Sequence, residues 1–148
     1  GALTKALMAA GLELKPNGSI LLSIADQDKD EAMILIRGLS EAKYTIYATR
    51  GTAEFVRSLG FNQVNQAFKI DEGKPNVVDL VRDGVVDAVV NTMSGGRDPL
   101  RDGFLIRRAA AERRIPCFTS LDTARAALQI LLRDGSDYTV KRRVEYLK

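Results

Sequence analysis

Hydroxyls, glycines and cations gather in three short stretches of this chain: Asp26-Gln27-Asp28-Lys29, Thr49-Arg50-Gly51-Thr52 and Asn91-Thr92-Met93-Ser94-Gly95. That mixture suits phosphate chemistry. In the second stretch Gly51 is free to take a positive φ, and Thr52 is expected to open a helix whose unpaired backbone N–H groups point outward. An anion at such a helix start gains about 0.3–1 kcal/mol from the helix dipole at an exposed site, with hydroxyl and amide donors adding to it. Thr49 or Thr52 acting only as a helix cap explains the same turn equally well in isolation. In the third stretch, Asn91, Thr92, Ser94 and Gly95 form a loop whose glycine lets backbone amides approach a phosphate or ribose with no Cβ in the way. An ordinary flexible loop has the same composition. Lys29 and Lys69, each just past a strand end, supply cations, although a lone surface lysine is more often simply solvated. Convergence of all these features points to a phosphate-bearing ligand.

Acid–base catalysis has little to draw on. Histidine is absent, which leaves carboxylates, lysines and tyrosines. Asp26, Asp28, Asp71, Asp98 and Asp102 occupy loop positions with no neighbour expected to tune their pKa, and read as caps, turns or solvated charge. No catalytic residue is assigned. No metal site is assigned either, since Asp26-Gln27-Asp28 is too short for a calcium loop and no other cluster has ligand spacing. Cys117 is the single cysteine; flanked by Ile115, Pro116 and Phe118, it reads as an inert thiol in a buried strand, and the chain as a protein of the reducing cytoplasm. With 22 Lys plus Arg against 19 Asp plus Glu, the net charge is +3. The doublets Arg107-Arg108, Arg113-Arg114 and Arg142-Arg143 fit solvated helix faces, so no nucleic-acid partner is expected. No apolar run reaches the roughly 18 residues of a membrane span, and no membrane partner is expected.

The elements that must carry these loops are legible as alternating runs. Apolar or β-branched segments at Ile20–Ile24, Thr45–Ala48, Val85–Val90 and Pro116–Thr119, with a weaker candidate at Val64–Phe68, alternate with helical stretches. The runs are nearly continuous, as in strands covered on both faces. The expectation is one α/β domain, a three-layer α/β/α sandwich with a doubly wound, mainly parallel sheet of about five strands. Asp28 and Glu31 read as a capping pair ahead of the stripe Ala32, Leu35, Ile36 and Leu39. Leu121, Ala124, Leu128 and Leu131 form a second stripe, which Gly135 is expected to end after Arg133. The divisions are residues 1–18 as a helical linker, 19–135 as the domain and 136–148 as an unassigned tail. In such a sheet the ligand crevice lies beyond the carboxyl ends of the strands, where the three polar stretches fall.

In order along the chain, Ser23-Ile24-Ala25-Asp26, Ala48-Thr49-Arg50-Gly51-Thr52, Lys69-Ile70-Asp71-Glu72-Gly73-Lys74-Pro75, Val90-Asn91-Thr92 with Ser94-Gly95, and Ile106-Arg107-Arg108-Ala109-Ala110 make a familiar set. It resembles the methylglyoxal-synthase-like domain at the C-terminus of the carbamoyl-phosphate synthase large subunit, over nearly the whole chain. The resemblance implies an allosteric domain that binds a nucleotide monophosphate such as UMP or IMP and modulates carbamoyl phosphate synthesis for pyrimidine and arginine pathways. It places the phosphate on Lys29, Thr49 and Thr52, with Lys69 adding charge and Asn91 on the ribose side. It also implies partners, namely the synthetase domains of the same subunit and, through them, a glutaminase small subunit. No cofactor belongs to this domain; ATP and Mg or Mn belong to the intact synthase.

Two departures matter. Met93 stands where the family often has threonine or proline, and a thioether cannot donate a hydroxyl hydrogen bond. On the side where some relatives take ornithine, Thr119 is kept but Cys117 and Phe118 replace a tyrosine and an aspartate, so weak or absent ornithine regulation is expected. The rival readings are methylglyoxal synthase itself and an interaction or oligomerisation module without ligand. The enzyme relies on a histidine and catalytic aspartates, and Lys74 stands at one of those aspartate positions.

Overall fold

Aliphatic runs form the strands and the stripes between them form the helices, as the computed structural model of the chain lays out. It describes the backbone of residues 2–92 and 99–146 and the side chains of residues 5–92 and 103–133; Met93, Ser94 and Gly95 lie outside the described residues. The elements run α1 (Ala2–Ala9), β1 (Ser19–Ser23), a 3-10 turn (Asp26–Asp28), α2 (Lys29–Glu41), β2 (Thr45–Thr49), α3 (Arg50–Ser58), β3 (Val64–Ala67), α4 (Val77–Arg82), β4 (Ala88–Asn91), α5 (Pro99–Arg113), β5 (Cys117–Phe118) and α6 (Leu121–Tyr146).

The five strands pair in parallel throughout, in the order β3-β2-β1-β4-β5. Alternate side chains feed two cores. Ile20, Leu22, Ala88 and Val90 pack with α1, α2, α3 and α6, whereas Leu21 and Val89 pack with α4 and α5. This is the α/β/α sandwich that continuous apolar strands require. The stripe Ala32, Leu35, Ile36 and Leu39 is fully buried, and α2 lies so close to α6 that a Cβ on Gly38 would stand 2.5 Å from Leu128 Cδ2.

Several boundaries move. Ile24 leaves the first strand because its N–H is taken by a threonine hydroxyl of another element. The fourth strand starts at Ala88, not Val85: Gly84 turns with φ +73 and the Val85 N–H closes onto the Leu80 carbonyl, so pairing begins only at Ile20↔Ala88. At the ends of β3 and β5, Phe68 and Thr119 fall outside the ladders, while Thr49 joins β2. Asp28 and Glu31 do not form a capping pair. Asp28 has helical φ and ψ and makes no side-chain cap bond, since a 3-10 turn feeds directly into α2. Gly135 does not stop the last helix, which continues to Tyr146; an interior glycine costs only about 1 kcal/mol against alanine.

The chain winds outward from β1 to β2 and β3, then crosses back to place β4 on the other side of β1. The connections leaving β1 and β4 therefore diverge, which makes their carboxyl ends the topological position at which such sheets take a ligand.

Candidate functional site

Only four polar residues among those described are buried: Thr49 at 4% exposure, Thr52 at 2%, Asn91 at 6% and Thr92 at 7%. All four lie at the carboxyl ends of β2 and β4. Thr52 Oγ1 accepts the Ile24 N–H at 3.1 Å, and Thr92 Oγ1 accepts the Ala25 N–H at 2.9 Å. The two hydroxyls thus clamp the end of β1 from α3 on one side and from just past β4 on the other. Thr49 Oγ1 donates weakly to Thr52 Oγ1 at 3.4 Å. Asn91 pairs in register with Ser23 through its backbone, and its side-chain amide makes no hydrogen bond within the described residues.

The helix start differs from expectation in a useful way. Helix α3 begins at Arg50, with Thr49 as an extended N-cap residue (φ −64, ψ 161) that makes no side-chain cap bond. Thr52 is therefore two residues inside the helix, and neither threonine is a plain cap. The N–H groups of Arg50, Gly51 and Thr52 have no partner within the helix. Gly51 is helical and does not take a positive φ. A Cβ there would lie 3.4 Å from Lys29 Nζ, an ordinary van der Waals contact, so the ammonium of Lys29 rests against the first turn of α3. The Lys29 side chain is 19% exposed, held by the fold rather than waving in solvent.

Asp26 is exposed, but it is not the acid without a tuning partner that its loop position suggests. Lys29 hydrogen bonds and ion-pairs with its carboxylate across the 3-10 turn. That hydrogen bond first, the Lys29 charge second and a smaller pull from Lys69 hold the Asp26 carboxyl below its usual range. Lys69 follows the carboxyl end of β3, and so lies at the same end of the parallel sheet as Lys29. Lys29, Thr49, Gly51, Thr52, Lys69, Asn91 and Thr92 thus gather at one end of the sheet.

Thr119 sits apart from this group. It is exposed and lines a cavity of about 240 Å³ with Asp28, Glu31, Thr92, Ser120, Leu121 and Asp122. The carboxylates make that cavity unsuited to an anion, and Thr92 alone joins it to the threonine cluster. A larger groove, about 960 Å³, lies at the opposite end of β2 and β3, between Tyr44, Thr45, Phe61 and Val64, and touches none of these residues.

The MGS-like domain model matches residues 31–119 of the chain, more than half of its length. The chain belongs to the MGS-like domain family. It is also 43% identical, over 140 residues and 95% of its own length, to the carbamoyl phosphate synthase large chain of Thermomicrobium roseum, of which it spans 13%. The matched segment contains β2, α3, β3 and β4, and so Thr49, Thr52, Lys69 and Asn91.

Within this domain the remaining chemistry is sparse. No group of three or more Cys, Asp or Glu among the described residues is placed to hold a metal ion. Cys117 is half-buried, and burial pushes its thiol up against the opposing charge of Arg107, which lowers its thiolate fraction. No described helix is long and apolar enough to cross a membrane.

Proposed function

We propose that this domain is the effector-binding, regulatory part of a carbamoyl-phosphate synthase large chain, and that its ligand is a nucleoside monophosphate, UMP or IMP. The observation that carries the reading is the Lys29 ammonium lying against Gly51 in the first turn of α3, the turn that Thr49 and Thr52 flank. A phosphoryl group there meets free backbone N–H groups, hydroxyl donors and two lysines. Asn91, whose amide makes no hydrogen bond among the described residues, is available to the ribose. Ser94 and Gly95, outside the described residues, are further ligand contacts in this proposal.

Regulation follows from how the same hydroxyls are already used. Thr52 and Thr92 tie the end of β1 to α3 and to the end of β4, so a phosphate that recruits Thr49 and Thr52 orders three loops at once. Ordered loops bias the interface with the neighbouring synthetase domain, and the effector acts through its difference in affinity for two states of the enzyme. ATP, Mg or Mn and the glutaminase subunit belong to the intact enzyme, in the cytoplasm. The chain has no histidine, and Asp26 is engaged with Lys29, which supports a non-catalytic role over a methylglyoxal synthase-type lyase.

Calorimetric titration with UMP and with IMP tests this. Lys29→Ala and Thr49→Ala are each expected to weaken binding tenfold or more, because a charge-assisted hydrogen bond contributes about 1.5–3 kcal/mol, with circular dichroism unchanged. Absence of heat with both nucleotides would sink the proposal in favour of a pure interaction module. Steady turnover of dihydroxyacetone phosphate to methylglyoxal would replace it with the enzyme.

A further inference from the structure

We infer that Asp26 is a built-in competitor for the anion site: its carboxylate occupies Lys29 until a phosphate displaces it, lowering the site's affinity for every phosphate-bearing ligand. This inference rests on the effector-binding reading given above. It concerns a residue to which that reading gives no part.

The placement of Asp26 makes it a replaceable occupant. The 3-10 turn brings residues 26 and 29 together, with the Asp28 N–H bonded to the Ala25 carbonyl and the Lys29 N–H to the Asp26 carbonyl. The lysine is held low, 19% exposed and in contact range of Gly51, whereas the aspartate side chain is 93% exposed and reaches the ammonium from the solvent side. Lys29 is its one hydrogen-bond partner among the described residues. The carboxylate therefore sits on the cation that a phosphate at the start of α3 would use. Two anions sharing one ammonium group repel one another, so the ligand and Asp26 oppose each other's contact with Lys29.

An exposed ion pair is weak, which sets the size of the effect. In calorimetric titrations of the whole chain with UMP, IMP and inorganic phosphate, Asp26→Asn is expected to bind about two- to fivefold tighter than the wild type. Asp30→Asn, which removes the exposed acid beside Lys29, is expected to change affinity less. A carbon-detected NMR titration of the Asp26 carboxyl is expected to show its pKa rising when ligand saturates the site. Equal or weaker binding by Asp26→Asn overturns the inference, as does an equal gain from Asp30→Asn, which would mark a general charge effect. So does an Asp26 pKa that ligand leaves unmoved. In each of those cases wild-type binding leaves the effector reading standing. If neither wild type nor variant binds any of the three probes, the effector reading falls and the inference falls with it.

Discussion

The two ends of the sheet use similar residues to opposite purposes. At the amino end, Asp87 accepts the Ser19 N–H at 2.9 Å and pairs with Lys15 at 2.8 Å, while the Tyr44 hydroxyl donates to the Lys15 carbonyl. Each of these groups is satisfied by another part of the same chain, and together they fasten the segment after α1 beneath β1. At the carboxyl end, Thr52 and Thr92 perform the same fastening, but there, among the described residues, the Asn91 amide makes no side-chain hydrogen bond, the first N–H groups of α3 have no partner within the helix, and Lys29 holds a solvent-exposed carboxylate. One end is closed, and the other is the end at which the effector is proposed to bind. Among the described residues the buried side-chain atom without a hydrogen bond is Arg125 Nε, so what sets the carboxyl end apart is the set of donors that the proposed effector would engage.

Thr52→Val should separate the ends most sharply. The substitution keeps volume but leaves the buried Ile24 N–H without an acceptor, and a loss of about 2–3 kcal/mol is expected in urea or thermal unfolding. Nucleotide heat should vanish as well, because the hydroxyl serves both structure and ligand. Asp87→Ala is the counterpart at the closed end. It removes an acceptor from the Ser19 N–H and an exposed ion pair, for an expected loss of about 1–2 kcal/mol, with UMP and IMP affinity unchanged. If Asp87→Ala weakened nucleotide binding as much as Thr52→Val, the division of labour between the ends would be lost.

The sequence made the binding end partly legible and the closed end hardly at all, for a physical reason. Apolar or β-branched runs located four strands and a weaker candidate at Val64–Phe68 the fifth, and the strand ends singled out Lys29, Thr49, Thr52, Lys69, Asn91 and Thr92 as site candidates, because ligand loops in such sheets occupy fixed topological positions. The closed end depends on Lys15, Tyr44 and Asp87, whose partners stand 29 and 68 residues away along the chain; no periodicity announces such contacts. Gly51 invites a left-handed turn that it does not make; the approach of Lys29 to that first turn is a fact of packing between two helices. The Asp26–Lys29 pair and the capping box of Asn76 with Asp79 are local, at spacing three, and were within reach of the sequence. The Asp28–Glu31 pair has that same spacing and fails, because a cap needs an extended backbone and Asp28 is already helical.

Tyr44 offers the smallest effect and the finest test of the closed end. Burial first, and the charge of Asp87 second, push its phenol up to about 12, above the ordinary value near 10. The folded state thus holds this proton more tightly than the unfolded chain. The resulting stability is fully present below pH 10 and is lost as pH rises toward 12. Tyr44→Phe removes both the hydrogen bond to the Lys15 carbonyl and the titration, so the variant should be less stable by about 1 kcal/mol at neutral pH. Between pH 10 and 12 that deficit should shrink, because only the wild type pays the cost of ionising a buried phenol whose donor bond is then lost. Measuring both proteins by chemical denaturation across that range isolates Tyr44 from every other group that titrates there. Stability curves that stay parallel would mean that the phenol is not held as the geometry at the amino end requires.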